Sequence, residues 1–75
     1  MVEPIDKYVI QKVKEKRLEA GYSQSRLANE LEVSNGFIGM VESGKYSQKY
    51  SLAQISKIAK ILKCSIWELV PEFPL

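Results

Sequence analysis

The chain has 75 residues, of which 45% are hydrophobic and 27% charged, and its formal net charge is +2. This length and composition suit one small globular domain with one modest core, and we expect residues 1–75 to form that domain. The sequence contains no histidine and a single cysteine. An internal disulfide is therefore excluded, and the commonest general base and metal ligand are missing. We expect no enzyme activity, no metal and no cofactor.

No apolar run approaches the roughly 18 residues that a membrane span needs, and the N-terminus lacks an apolar signal segment. We therefore expect a cytoplasmic protein without membrane contact. Positive charge is concentrated in the middle of the chain, where residues 21–63 include six basic and three acidic side chains. An anionic partner would meet that part of the chain.

Hydrophobic residues recur at helical spacing along the chain, which predicts an all-α fold of five short helices. The first helix begins near Pro4, because proline suits the first helical turn. It carries an inward stripe of Ile10, Val13 and Leu18. Gly21 then fits the left-handed residue that closes a helix.

The second and third helices are predicted to follow each other closely. The second, capped by Ser23, extends through Leu31, and Ser34 then caps a third helix over residues 34–42. Two short helices joined by so tight a turn cross at a steep angle, because the turn leaves no room for antiparallel packing. That crossing requires a small residue at the contact, and Ala28 occupies the place.

The second half of the chain contains a loop and two further helices. Residues 43–50 are polar and include two tyrosines, which predicts an exposed loop. Capping boxes at 51–54 and 65–68 start a fourth and a short fifth helix, and Pro71 ends the latter. The apolar tail, 71–75, is expected to be extended. The inward face of the fourth helix carries five apolar residues: Leu52, Ile55, Ile58, Ala59 and Leu62.

One set of residues forms a pattern that is specific only when its members are taken together. Its members are Arg17, Gly21, Tyr22, Ser23, Gln24, Leu27, Ala28, Val33, Ser34, Ile38, Val41, Glu42, Ser43, Gly44, Lys45, Ile55, Ala59, Leu62, Ser65 and Leu69. This pattern resembles the lambda repressor and Cro family, also called the xenobiotic-response-element family, over residues 10–70. The resemblance implies a helix-turn-helix core at 23–42 and a C-terminal helix and tail at 65–75. It also implies a sequence-specific transcriptional regulator, here expected to be a nucleoid-associated repressor bound to duplex DNA.

The resemblance implies roles for individual side chains on the two central helices. Gln24 matches the glutamine that binds a DNA phosphate at a helix N-terminus. Four residues match the base-facing positions of the recognition helix, which enters the major groove: Asn35, Gly36, Phe37 and Met40. Asparagine suits adenine, while Phe37 and Met40 would either contact thymine methyl groups or be partly buried in the fold.

Further phosphate contacts are expected on either side of the recognition helix. Ser43 and Lys45 match a turn that brings backbone amides and a cation close to phosphates. Lys49 lies on the same loop, and Arg26 lies near the start of the second helix. All four residues are of types that are common on any protein surface. Only their positions beside the recognition helix favour phosphate binding over ordinary solvent exposure.

Three further features concern the backbone and the packing of the helix-turn-helix core. Arg17 and Glu42 match a structural ion pair between the first and third helices. Glu32 stands where the family usually has glycine, which predicts a left-handed backbone costing about 1 kcal/mol. The recognition helix contains two glycines, Gly36 and Gly39, and no basic residue, so Asn35 is its only side chain with strong hydrogen bonds to offer a base.

The C-terminal apolar residues either complete the core or form the seam of a weak homodimer on a palindromic operator. They are Trp67, Val70, Phe73 and Leu75. The recognition helix has few side chains that could read bases, so a different class of function stays open. This is a protein-interaction module of the same fold, such as an antitoxin or an adaptor. An enzyme fragment is a third reading that the absence of histidine argues against. Cys64 is expected to be a small core residue rather than a redox sensor.

Overall fold

Five helical elements follow one another in the computed structural model, which describes residues 2–75. Their bounds are Pro4–Glu19 for α1, Gln24–Leu31 for α2, Phe37–Ser43 for α3, Leu52–Ile61 for α4 and Ile66–Glu68 for a single 3-10 turn. The described residues contain no strand, so the all-α prediction is confirmed. The fifth element is one 3-10 turn rather than an α-helix because Pro71 follows closely and disfavours helical backbone before it.

Side chains cap most of these elements, as the sequence predicts. Ser23, Ser51 and Ser65 each accept a hydrogen bond from a backbone N–H two or three residues further on, at 3.0–3.1 Å. At the start of α1, the Glu3 N–H donates to the Asp6 carboxylate at 2.8 Å. These bonds satisfy amides that a helix leaves without an internal partner, and they fix where each element begins.

One core lies where the four α-helices meet. α2 packs against both α3 and α4, α1 packs against α3, and the 3-10 turn packs against α4. The buried apolar side chains are Val9, Val13, Leu27, Ala28, Leu31, Ile38, Val41, Tyr50, Ile55, Ile58, Ala59 and Leu69. α2 therefore lies between α3 and α4 and joins them in one core.

The inward face of α1 differs from the prediction. Val9, Val13 and Arg17 are buried, whereas Leu18 is 59% exposed and Ile10 is only partly buried. Residues four apart share one side of a helix, so an inward Arg17 turns Leu18 toward solvent. Even α1, the longest helix at 16 residues, is not one that could cross a membrane, and no other helix in residues 2–75 is.

Two further predictions around α4 are wrong. Leu52 is 84% exposed, because it lies on the first turn of α4 beside an open groove of about 280 Å³ whose other walls include Ile5 and Val9. Tyr50, which was assigned to an exposed loop, is buried. Its ring meets that of Phe37 edge-on at 6.2 Å between centroids. The loop end therefore belongs to the core.

Candidate nucleic-acid interface

The turn after α2 is closed by a left-handed residue. Glu32 has φ 62° and ψ 40°, and the N–H of Val33 donates to the Ala28 carbonyl at 3.0 Å. This bond and the one from the Glu32 N–H to the Asn29 carbonyl, at 3.2 Å, satisfy carbonyls at the end of α2. The predicted left-handed backbone at Glu32 is thus present, in a conformation that disfavours residues with a Cβ atom.

The third helix begins three residues later than predicted, at Phe37 rather than Ser34. The Phe37 N–H donates to the Ser34 carbonyl at 3.0 Å, which makes residues 34–37 a turn. Gly36 is the N-cap and offers no side chain to bind an amide. Asn35 and Gly36 therefore lie in an exposed turn before α3, and only Phe37 and Met40 of the base-reading candidates lie on the helix itself.

The α2–α3 contact is apolar and closely packed. Leu27 and Ala28 of α2 and Ile38 of α3 are fully buried, and Val41 is nearly so. A small residue at position 28 permits the close approach that a steep crossing needs. α2 and α3 therefore pack directly against each other, with α4 against α2 and α1 against α3.

A buried ion pair joins α1 to the end of α3. Arg17 Nε and Nη2 donate to the two oxygens of Glu42 at 2.9 Å each, and Nη1 donates to the Tyr22 carbonyl at 2.7 Å. The Arg17 and Glu42 side chains are 7% and 4% exposed. This bidentate geometry fixes the direction as well as the distance between the two helices.

Gln24, the first residue of α2, also contacts this pair. Its Nε2 donates to Glu42 Oε1 at 3.0 Å. The side chain thus extends from α2 across to α3 while the residue as a whole stays exposed. It lies at a helix start, where free amides and the positive end of the helix dipole favour an anion.

The other phosphate candidates are exposed but differ in their partners. The Arg26 guanidinium lies 3.8 Å from the centroid of the Tyr22 ring, and its Nε donates to Glu30 at 3.2 Å. Lys49 makes a loose 3.4 Å ion pair with Asp6.

Within the turn after α3, the Ser43 hydroxyl is used internally. It donates to the Met40 carbonyl at 2.9 Å and accepts the Lys45 N–H at 3.2 Å. Gly44, at φ 71°, ends the helix in the left-handed region. The turn is therefore well defined, and the Lys45 side chain projects from it into solvent.

Tyr50 is a residue of this region that the sequence reasoning missed. Its hydroxyl is buried and has no hydrogen-bond partner in the described residues. Burial raises the pKa of that hydroxyl well above its ordinary value, and the negative charge of Glu42 adds to the effect. Its position just before the Ser51 cap was the available signal, since a residue preceding a helix cap often packs onto the helix.

The C-terminal segment presents a separate apolar surface. Trp67 is 81% exposed, Phe73 72% and Leu75 66%, whereas Val70 is partly buried against the core. Three of the four residues expected at a dimer seam are thus on the outside. Cys64 is half-buried beside the same core. Within residues 2–75, no three metal-binding side chains cluster closely enough to hold an ion.

Comparison with known proteins agrees with this geometry. A model of the helix-turn-helix family matches residues 13–69, which is most of the chain. The chain belongs to this family. The residue pattern from Arg17 to Lys45 assigns it to the lambda repressor and Cro type, whose members are DNA-binding domains of transcriptional regulators. No curated protein sequence matches this helix-turn-helix domain closely.

Several solved structures resemble the helix-turn-helix domain. The hypothetical transcription factor NHTF from Neisseria has a TM-score of 0.75 and 21% identity over 89% of this chain and 75% of its own. SinR, the master regulator for biofilm formation, solved in complex with DNA, has a TM-score of 0.65 and 28% identity over 77% and 90%. Hydroxypropylphosphonic acid epoxidase from S. wedmorenis, in complex with fosfomycin, has a TM-score of 0.76 and 23% identity. The match covers 92% of this chain and 36% of the epoxidase. The helix-turn-helix domain thus spans about a third of the epoxidase, and at this identity the two share a fold only.

Proposed function

We propose that this chain is a sequence-specific repressor of transcription that reads duplex DNA with α3 and the turn before it. The main support for this proposal is the buried Arg17–Glu42 ion pair, which fixes α3 to α1. Residues 34–36 and the start of α2 stay exposed beside it. A reading element has to be mounted this rigidly, because a shift of about 1 Å spoils hydrogen bonds to base edges. Such a repressor would act in the cytoplasm, at the nucleoid.

Affinity would come mainly from contacts with DNA phosphates. At the start of α2, Gln24 and the free backbone amides would bind one phosphate, with Arg26 beside them. After α3, Lys45 would bind another, on a turn whose shape Ser43 maintains. Lys49 would exchange its loose bond to Asp6 for a phosphate oxygen. Contacts of this kind carry no sequence information and weaken steeply as salt increases.

Sequence readout would come from four residues on and before α3. Asn35, exposed in the turn, would bind adenine through its amide, and Gly36 beside it would let the backbone approach the groove closely. Met40 would contact a thymine methyl group. Phe37 is half-buried against Tyr50, so only its outer edge would reach a base.

Two copies of the chain would bind together. One asparagine reader per chain discriminates by only about 1–3 kcal/mol per base pair, which is too little to select a site among many competitors. A two-fold dimer through the exposed C-terminal residues Trp67, Phe73 and Leu75, with Val70, doubles that readout. Its operator would be a palindrome with half-sites about 34 Å apart.

Binding to a random-sequence duplex at several salt concentrations tests the phosphate contacts. We expect the logarithm of the association constant to fall linearly with the logarithm of salt concentration. Lys45→Ala and Lys49→Ala should each flatten that slope by about one unit. Lys57→Ala is the matched control, because Lys57 is exposed on α4 outside the proposed interface.

A protein-interaction module of the same fold, such as an antitoxin or an adaptor, is the second candidate. The exposed Trp67 and Phe73 favour it, since large apolar side chains on the outside of a small domain are typical of interfaces. It predicts no salt-dependent duplex binding, and identical curves for the Lys45, Lys49 and Lys57 variants. That outcome would overturn the DNA-binding proposal.

A further inference from the structure

Gly39 lies inside a helix of only seven residues, where glycine is less favourable than alanine. A Cβ atom placed at Gly39 would lie 3.2 Å from Gln24 Oε1 and 3.8 Å from Gln24 Cδ, whereas one placed at Gly36 would meet nothing within 4 Å. The missing side chain therefore leaves room for one specific neighbour, the Gln24 side chain.

The chemistry of the contact fixes which way the Gln24 amide points. Gln24 Nε2 donates to Glu42 Oε1 at 3.0 Å. A carboxylate oxygen only accepts hydrogen bonds, so the nitrogen end of the amide has to face Glu42. The oxygen end then faces the α3 backbone at Gly39, where a methyl group would crowd it.

The anchor for this side chain is rigid. Glu42 Oε1 also accepts from Arg17 Nη2 at 2.9 Å, and the second Glu42 oxygen accepts from Arg17 Nε at 2.9 Å. Gln24 Nε2 carries two hydrogens, of which Glu42 takes one. The other remains for an acceptor outside the protein, at the helix start where a phosphate would bind.

We propose that Gly39 is a positioning residue for DNA binding: its lack of a side chain lets Gln24 lie along α3, where Glu42 fixes it in the conformation that meets a phosphate. The effect on DNA affinity rests on the proposed function, whereas the placement of Gln24 beside Gly39 does not. A side chain ordered before binding loses less conformational freedom on binding, so the preordered glutamine strengthens the complex.

Gly39→Ala should displace the Gln24 amide while leaving the domain folded, since alanine is the better helix former. We expect the melting temperature to stay the same or rise and duplex affinity to fall about three- to tenfold. That range corresponds to losing the preordering of one long side chain. A rise in stability with a fall in affinity is a combination that a merely structural glycine would not give.

A double-mutant cycle separates an effect through Gln24 from a clash of the new methyl group with DNA. Affinity for one duplex at one salt concentration is measured for wild type, Gly39→Ala, Gln24→Ala and the double variant. We expect Gly39→Ala to weaken binding in the wild-type background and to have no further effect once Gln24 is alanine. Equal weakening in both backgrounds, or no weakening in either, would overturn the proposal.

Nuclear magnetic resonance of the free protein tests the placement without DNA. The Gln24 side-chain amide signal, assigned by its loss in Gln24→Ala, should shift in Gly39→Ala and stay in place in Gly36→Ala. An unmoved signal in Gly39→Ala would overturn the positioning role. If the signal moves as expected but the wild type binds no duplex, the geometry stands and the proposed DNA-binding function fails.

Discussion

At the scale of single residues, Arg17 and Glu42 occupy places in the core that would otherwise take apolar side chains. Every donor nitrogen of Arg17 bonds to protein, two of them to Glu42 and one to the Tyr22 carbonyl. Burial removes water from both charges, so each is tolerated only because the other is present. The pair therefore contributes more to the direction of α3 than to net stability.

Removing one partner should be far more damaging than removing both. We expect Glu42→Ala and Arg17→Met each to lower the free energy of unfolding by roughly 3–5 kcal/mol, because the remaining charge is stranded in the core. The double variant Arg17→Met/Glu42→Leu should recover most of that loss. Urea unfolding of the three proteins decides the matter, and single losses near zero would mean that the pair is effectively exposed.

Glu32 and Lys63 both adopt left-handed backbone, at φ 62° and 56°. Replacing either with glycine should relieve that strain, although glycine also makes the unfolded chain freer. We expect Glu32→Gly and Lys63→Gly each to stabilise the domain by up to about 1 kcal/mol. Lys57→Gly, inside α4, is the control and should destabilise by a similar amount. If all three variants lose stability alike, the left-handed backbone carries no strain.

These residues also show what a sequence can predict at this scale. The left-handed Glu32 was predictable because it stands where a related pattern usually has glycine. Lys63 carried no such signal, since only the path from α4 to the Ser65 cap requires its conformation. The prediction that Leu18 belongs to the inward stripe of α1 is wrong. The expected Arg17–Glu42 pair draws Arg17 inward, and the next residue along the helix, Leu18, is then turned toward solvent.

At the scale of elements, α3 departs most from expectation. Ser34 is a good cap by composition, yet its carbonyl accepts the Phe37 N–H and the helix begins after Gly36. Two glycines weaken the helical preference of this stretch, so a turn competes with the first helical turn. Capping by Ser23, Ser51 and Ser65 was predictable because those signals are local. The start of α3 was not, because two local structures are close in energy.

The 3-10 turn is tied to α1 by an ion pair between Lys16 Nζ and Glu68 Oε1 at 2.8 Å. The hydrogen bond from Lys16, and then that from the Ser65 N–H, hold the pKa of Glu68 below its ordinary value. A carboxyl group with a lowered pKa stabilises the fold above its unfolded pKa, and this contribution is lost as pH falls through the folded value. The link should therefore weaken in acid.

Glu68→Gln should remove that pH dependence and keep the cap, because an amide oxygen still accepts the Ser65 N–H. We expect the variant to melt below wild type at pH 7 and the difference to shrink as pH falls below the ordinary glutamate pKa of about 4.3. Melting temperatures at pH 7, 5, 4 and 3 measure it. Glu19→Gln, whose carboxylate lies 3.9 Å from the same lysine, is the control. A difference that is constant with pH would exclude the linkage.

At the scale of the whole molecule, the exposed C-terminal residues should hold two copies together. Trp67, Phe73 and Leu75 are large apolar side chains that are 66–81% exposed. We expect a weak dimer, roughly micromolar, that operator DNA tightens. Sedimentation of the intact chain at high concentration, with and without a palindromic duplex, measures it.

Phe73→Ser in the full chain provides the matched test of that dimer, because Phe73 is 72% exposed and the change leaves the core intact. Non-specific duplex binding should persist in this variant while cooperative occupancy of a palindrome is lost. Truncation after Glu68 removes the same apolar surface but also the fully buried Leu69, so it should additionally lower the melting temperature. Independent binding of single half-sites by the wild type would contradict the dimer.

The general arrangement of the molecule was more predictable than its site. Helical spacing of apolar residues and short linkers leave few ways to pack five small elements, so the all-α fold followed from the sequence. The contact of Gln24 with Glu42 did not, because the two residues meet only after folding, whereas Arg26 bonds to Glu30 one helical turn away on α2. The interface itself stays a prediction in every residue.

The central claim is that α3 and the turn before it read the sequence of duplex DNA, and selection of bound fragments from random duplexes tests it most directly. We expect wild type to enrich two inverted half-sites with centres about 10 base pairs apart. Asn35→Ala should lose an adenine preference in each half-site, whereas Lys45→Ala should lower recovery without changing the motif. A wild-type protein that enriches no sequence above the starting pool would contradict the claim.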